Sequence, residues 1–265
     1  MMTWHNEFSG KKVVLTGACG VIGRWIASAF AREGASLCLS DMRGDLLDAE
    51  ARELKLAASG GLTHRTDLAD AASVDDLASS VARAWGSPDI VINNAGIYPS
   101  GFLLDIDAAE WDRIMDVNLR APFLVSRAMA KLMIAAGVRG SIVNISSGAA
   151  RKMRRTVVPY CVSKTALDRL TKGFAIELAE SGIRVNAVEP GFAPGSTASP
   201  LTQTHVDMTL AQIPLGRASK PEDASDAIMY LCSSKASYIT GATLSVDGGN
   251  SIGSLAVHQD KKRPG

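Results

Sequence analysis

Val13-Val14-Leu15-Thr16-Gly17-Ala18-Cys19-Gly20-Val21-Ile22-Gly23 decides the fold. A short branched-apolar run ends at Thr16, glycines follow at 17, 20 and 23, and helical periodicity then runs from Val21 to Glu33 and closes at Gly34. This reads as strand, tight turn, helix. The glycines let the backbone turn and approach a pyrophosphate, and the helix N-terminus offers N–H groups and a positive dipole end to it. A glycine triplet alone is weak; a strand before, a helix after and an acid at the next strand end strengthen it. That acid is Asp41, 18 residues beyond Gly23. It can accept hydrogen bonds from ribose hydroxyls and repel a 2′-phosphate, which favours NAD over NADP. Arg24 and Arg43 are the counter-argument, read here as solvated surface charge.

Outward from this stretch, strands are expected at Ser36–Ser40, Leu62–Arg65, Asp89–Asn93, Ser141–Ile145, Ile183–Val188 and Thr243–Val246. Helices are expected at Gly44–Ala58, Ala71–Trp85, Ala108–Ala136 with a break near Pro122, Pro159–Ser181 and Pro221–Cys232. Repeated βα alternation with continuous β-branched runs implies a parallel sheet covered on both faces. Right-handed crossovers then give an α/β, doubly wound Rossmann fold, seven strands with helices on both faces. No linker divides the chain, so residues 1–265 are expected to form a single Rossmann-type dinucleotide-binding catalytic domain, with 258–265 a frayed tail. The Gly191–Ser199 loop stands where an active-site lid would sit.

Composition agrees. The 265 residues carry 28 Lys plus Arg against 27 Asp plus Glu, a net charge of +1 that argues against nucleic-acid or anionic-membrane binding. Apolar residues are 46% and charged residues 21%, as in a globular chain. Cys19, Cys38, Cys161 and Cys232 form no C-x-x-C pair and read as reduced thiols of a cytoplasmic protein. The histidines are scattered, so no metal site is expected. Met1–Gly10 has no apolar signal region, and no run is long enough to span a membrane.

Asp67 follows the third strand, where it can either meet an adenine edge or cap the strand end. Tyr160 and Lys164 stand four apart near the start of a helix and project from one face. A nearby ammonium favours phenolate, so Lys164 is expected to lower the Tyr160 pKa and fit it for proton exchange with an alcohol or carbonyl oxygen. A Ser147 hydroxyl would bind the same oxygen.

Thr16 to Gly23, Asp67, Asn93-Asn94-Ala95-Gly96, Asn118, Ser147, Tyr160-Cys161-Val162-Ser163-Lys164, Pro190-Gly191, Tyr238 to Gly241 and Val246 to Gly249 together resemble the short-chain dehydrogenase/reductase family, in its single-domain branch. The resemblance covers residues 8 to 250. Y-x-x-x-K placed 13 residues after Ser147 is its most specific part, and that offset favours Ser147 over Ser146. It implies Tyr160 as acid/base, Ser147 as polariser, Lys164 as pKa shifter and holder of the nicotinamide ribose, and Asn118 as holder of a relay water. It implies cofactor contacts from Gly17, Gly20, Val21, Ile22, Gly23, Asp41, Asp67, Leu68, Asn94, Ala95, Gly96, Tyr160, Lys164, Pro190, Gly191 and Ala193. It also implies a homotetramer that pairs the two long helices between subunits.

The chain departs from the family pattern at Val21, where glycine is usual, and at Gly195, where a cofactor-contacting threonine is usual; Ser196 or Thr197 can substitute. Arg151-Lys152-Met153-Arg154-Arg155 sets four cations in five residues beside the expected substrate cleft. One or two of them can bind an anionic substrate group; the alternative is a solvated or subunit-facing loop. Tyr98, Pro99, Ala149, Arg154, Arg155 and Phe192 are candidate substrate contacts, and His205 is a lid candidate.

The expected activity is hydride transfer between NAD and a small secondary alcohol or ketone, which can carry an anionic group. A 3-oxoacyl-[acyl-carrier-protein] reductase using NADPH is the alternative, which Asp41 disfavours. A non-catalytic dinucleotide sensor is the third reading, disfavoured by the intact Ser147, Tyr160 and Lys164.

Overall fold

A computed structural model describes residues 4–195, 201–253 and 255. Seven strands are present: β1 (Lys12–Thr16), β2 (Ser36–Asp41), β3 (Leu62–Arg65), β4 (Ile90–Asn93), β5 (Ser141–Ile145), β6 (Arg184–Pro190) and β7 (Thr243–Val246). All pair in parallel, in the order β3-β2-β1-β4-β5-β6-β7. The helices are α1 (Val21–Arg32), α2 (Gly44–Glu53), α3 (Ala71–Trp85), α4 (Ala108–Met115), α5 (Ala121–Ala135), α6 (Val158–Leu178), α7 (Gln203–Leu210) and α8 (Pro221–Cys232). The expected doubly wound sheet with helices on both faces is therefore observed.

Alternation along the strands builds two cores. Val13 and Leu15 of β1 face α1 and α8, joining Phe30, Ile26, Ile228 and Met229. Val14 faces the other way, with Val74 and Leu77 of α3, Val125 and Met129 of α5, and Ala175 of α6. Side chains of successive strand residues point to opposite faces, so a fully apolar strand serves both layers.

Two elements differ from expectation, and the long helix shows its expected break. The helix expected over 44–58 stops at Glu53; Lys55 turns left-handed (φ 52°) and a 3-10 turn, Leu56–Ser59, buries Leu56 under the sheet. The helix expected over 108–136 is interrupted by a π turn at Asp116–Arg120, ahead of Pro122. Pro122 itself lies in the first turn of α5, where its missing N–H does little harm. Helix α7 was not expected, because none of its residues is buried and it lacks an apolar stripe. The 258–265 tail lies outside the described residues. Among the described residues no helix is long and apolar enough to cross a membrane, and the four cysteines are free thiols.

Candidate active site

Parallel pairing brings all strand C-termini to one rim, and the strand order reverses between β1 and β4. Open α/β sheets bind ligands in the crevice at such a switch point. The glycine loop lies there. Gly17 has φ +64°, and a Cβ on it would lie 2.7 Å from the Ala95 Cα. A Cβ on Gly23 would lie 2.2 Å from the Gly17 carbonyl oxygen. Both positions therefore demand glycine. Val21, the departure from the family pattern, is simply the first residue of α1, with Gly20 as its N-cap. Whereas Asp70, Asp107 and Thr202 cap α3, α4 and α7 with side-chain oxygens, α1 has no side-chain cap. Its first N–H groups are left for an anion, so this cradle fits a dinucleotide pyrophosphate.

Asn94 braces the loop from β4. Its amide donates to the Thr16 and Gly17 carbonyls at 3.1 and 2.9 Å, and its own N–H donates to Thr16 Oγ1 at 3.1 Å. Its side chain thus holds the loop's shape. The Asp41 carboxylate, 8% exposed, accepts the Cys19 N–H at 3.0 Å and both side-chain and backbone donors of Arg43. Burial pushes its pKa up, but these hydrogen bonds outweigh burial and hold it below the usual carboxylate range. Arg24 pairs with Glu50 at 2.5 Å. Both arginines are at the surface as expected, their side chains 48% and 38% exposed, and each is paired with an acid. Asp67 is exposed, and its Oδ1 accepts the Ala69 N–H at 3.0 Å. Leu68 packs its side chain against the core cluster that holds Val74 and Leu77 of α3. Pro190 closes β6 against Val246, and Gly191, Phe192 and Ala193 follow half-buried, Phe192 accepting the Ser219 N–H at 2.8 Å. Ser196 and Thr197 lie outside the described residues.

Tyr160 and Lys164 occupy the first turns of α6. The Lys164 ammonium lies 5.7 Å from the Tyr160 ring centroid and donates to the Ile145 carbonyl at 2.7 Å. Lys164 is 3% exposed. Burial lowers its pKa to about 8, opposed by Asp168 one turn further along α6. Ser147 follows β5 in extended conformation, and its Oγ accepts the Ala149 N–H at 3.2 Å. Ser147 also interacts with the Tyr160 phenol. The expected lowering of the Tyr160 pKa is not the net outcome. Burial raises it, and Ser147 and the cation of Arg154 act against that rise. A Cβ built on Gly96 would lie 3.4 Å from Asn118 Oδ1 and 3.5 Å from Lys164 Nζ, so these three meet at one point.

Asn118 is fully buried in the π turn, a feature frequent at functional sites. Its Oδ1 accepts the Ile97 N–H and its Nδ2 donates to the Ile97 carbonyl, both at 2.8 Å, and to Ser163 Oγ at 3.2 Å. Its side chain thus ties the π turn to the Ile97 backbone and to α6. Sequence reasoning missed the Asn93–Asn144–Thr171 chain of buried hydrogen bonds beneath the site; the pairing of asparagines from adjacent parallel strands gives it no local signature.

The cleft walls are partly as expected. Tyr98 stands edge-on to Tyr160 with ring centroids 5.9 Å apart. Pro99 is half-buried beside it. Ala149 is 1% exposed and its N–H donates to Ser147 Oγ, so it offers no open surface to the cleft. His205 lies exposed in α7. In the basic loop, Arg151 donates through Nε (2.9 Å) and Nη2 to Glu189, which is 0% exposed. Lys152 donates to the Asn250 carbonyl. Arg155 stacks 5.2 Å from the Phe102 ring centroid. Arg154 is exposed and has no side-chain partner among the described residues.

A family model described as Enoyl-(Acyl carrier protein) reductase matches residues 17–251. A 2-(S)-hydroxypropyl-CoM dehydrogenase of Xanthobacter autotrophicus is 36% identical over 253 residues, spanning 92% of this chain and 98% of that protein. The chain belongs to the short-chain dehydrogenase/reductase family. The 3-oxoacyl-[acyl-carrier-protein] reductase of Thermotoga maritima, a further relative, is 34% identical over 248 residues, spanning 92% and 98% of the two chains. A solved structure described as an NAD(P)-dependent gluconate 5-dehydrogenase from Beutenbergia cavernae, with NADP bound at low occupancy, superimposes with a TM-score of 0.85 at 33% identity, covering 94% of this chain and 99% of that one. As a short-chain dehydrogenase/reductase, the protein is an oxidoreductase of CH–OH groups that uses a nicotinamide dinucleotide.

Proposed function

We propose that residues 1–265 act as one catalytic domain that interconverts a small secondary alcohol and its ketone with NAD(H). The observation that carries this reading is the meeting of Ser147, Tyr160 and Lys164 at the end of β5, beside Gly96. A bound nicotinamide supplies the carbon that takes or gives the hydride. Tyr160 exchanges the hydroxyl proton, and Ser147 hydrogen-bonds the reacting oxygen and stabilises its developing charge. Lys164 holds the nicotinamide ribose. Asn118, with its side chain on Ile97, serves the proton path through its main chain, where the π turn departs from regular helical pairing. The glycine cradle with Asp41, Asp67, Leu68, Ala95 and the Pro190–Ala193 segment forms the cofactor contacts.

NAD is favoured by the ion pairs at the ribose end. Arg24 is committed to Glu50 and Arg43 to Asp41, so neither is free to bind a 2′-phosphate. The relative from Thermotoga maritima supports 3-oxoacyl-[acyl-carrier-protein] reduction as the second reading; Asp41 speaks against the NADPH that this reading needs. The protein is taken as a cytoplasmic homotetramer, and an exposed groove of about 550 Å³ lined by Met115, Leu119, Phe123 and Leu170 is a surface that subunit packing would cover. Light scattering at micromolar concentration should give four chains.

The deciding experiment is Tyr160→Phe with NAD and a panel of secondary alcohols. Turnover should fall about 10²- to 10⁴-fold, the range of a lost general acid/base, while dinucleotide binding persists. Unchanged turnover overturns the assignment.

A further inference from the structure

We propose that Arg154 binds a carboxylate carried by the substrate, so that the alcohols this enzyme turns over are hydroxy acids. This rests on Tyr160 being the acid/base. Three of the four cations in the basic loop already have partners: Arg151 on buried Glu189, Lys152 on the Asn250 carbonyl, Arg155 on the Phe102 ring. Arg154 has none among the described residues. It nevertheless stands close enough to the Tyr160 phenol for its charge to act on the hydroxyl, and it repels Lys152 as well. Exposed in the loop between Ser147 and Tyr160, its guanidinium is hydrated, and an anion that displaces that water gains a charge-assisted contact.

The loop is pinned on both sides of Arg154. Arg151 and Lys152 fasten it toward β6 and the 247–251 turn, and the Thr156 carbonyl accepts the Gly101 N–H at 2.8 Å. Thr156 holds a left-handed φ of 69°. Less backbone freedom is therefore lost when Arg154 engages a ligand than on a free loop. Its planar fork matches the two oxygens of a carboxylate. Exposed apolar side chains stand in the same segments: Tyr98, Phe102 and Met153 are 44%, 52% and 64% exposed. That surface suits a hydrocarbon segment joining the carbinol carbon to the carboxylate.

The test uses methyl-keto acids from 4-oxopentanoate to 7-oxooctanoate, each paired with its amide. They are titrated calorimetrically into the protein with saturating NAD⁺, where no hydride is available and binding alone is read. At least one acid should bind about tenfold tighter than its amide, as a charge-assisted bidentate contact requires. Arg154→Gln should bring that pair to near equality, while Arg83→Gln on α3 keeps the preference. Acids and amides binding alike, a preference that survives Arg154→Gln, or binding of acyl-carrier-protein thioesters with none of the free acids, overturns the proposal. Oxidation of the matching hydroxy acids and hydroxy amides separates it from the underlying reading. If Arg154→Gln lowers kcat/KM equally for both, Arg154 acts through Tyr160 only and the anion site falls. If amides are oxidised and acids are not, the dehydrogenase stands and the anion site falls. Arg154-dependent binding with no oxidation of any alcohol leaves the anion site standing and removes the reaction.

Discussion

Arg43 closes on Asp41 from two residues away, its Nε 3.0 Å from one carboxylate oxygen and its Nη2 3.1 Å from the other. The acid expected to select NAD is therefore partly masked by its own neighbour. Arg43→Ala should unmask it and raise the NAD-over-NADP ratio of kcat/KM about tenfold. Asp41→Asn should move that ratio about tenfold the other way, because Arg43 is then released toward a 2′-phosphate; each change corresponds to roughly one lost or gained charge contact. Steady-state kinetics with both cofactors checks the pair. Equal ratios in all three proteins contradict it.

Lys164 makes the enzyme pH-dependent. Its pKa in the folded protein is about 8, against 10.5 ordinarily, because burial disfavours the ammonium. The ammonium is present below that value and lost above it. Dinucleotide affinity should weaken as pH rises through about 8, and a Lys164→Met protein should show no such decline. Stability runs the opposite way. From about 8 to 10.5 the unfolded chain keeps a proton that the folded chain has released, so stability rises with pH across that window. Urea unfolding at pH 7, 9 and 10 reads this directly, and Lys164→Met should flatten the rise.

Gly23→Ala tests the cradle. The added methyl would meet backbone oxygens of Gly17 and Ala18 at 2.2 and 2.8 Å, neither of which can rotate away. Overpacking of this kind destabilises by about 1–3 kcal/mol. Dinucleotide affinity, followed by protein fluorescence, should fall with it. A variant of normal affinity would show that the loop tolerates opening.

Glu189 and Arg151 should respond unequally to truncation. Glu189 is 0% exposed, while the Arg151 side chain is 40% exposed. Arg151→Ala leaves the buried carboxylate without a cation, with the Ser245 hydroxyl still donating to it, and should cost about 3–5 kcal/mol. Glu189→Ala leaves an arginine that water can reach and should cost clearly less. Denaturant midpoints of the two variants decide it.

Much of this was legible in the sequence because it is local. β3, α3, β5, α8 and β7 fall where the apolar pattern puts them, since caps, glycines and β-branched runs mark their ends. The break at Lys55 was not legible: Ala51 to Ala58 is composed of helix formers, and only the tertiary burial of Leu56 turns the chain there. Pro122 marked a break in the long helix, but not its π form, and the Asn118 side chain finds its partner Ile97 only 21 residues away. The active-site motif was readable from the Tyr160–Lys164 spacing. What escaped was the pairing of charges: that Asp41 is held by Arg43, that Arg24 goes to Glu50, and that three of four loop cations are committed while Arg154 is not. Those depend on side chains meeting across elements.

An ammonium has three N–H directions, and Lys164 has one of them fixed on the Ile145 carbonyl. The other two are then aimed by geometry as well as by charge. Lys164→Arg would keep the positive charge yet replace this tripod with a flat fork, which has no equivalent set of directions to give. A cation in that place is therefore insufficient by itself; the residue works as an oriented donor, and the end of β5 is what orients it.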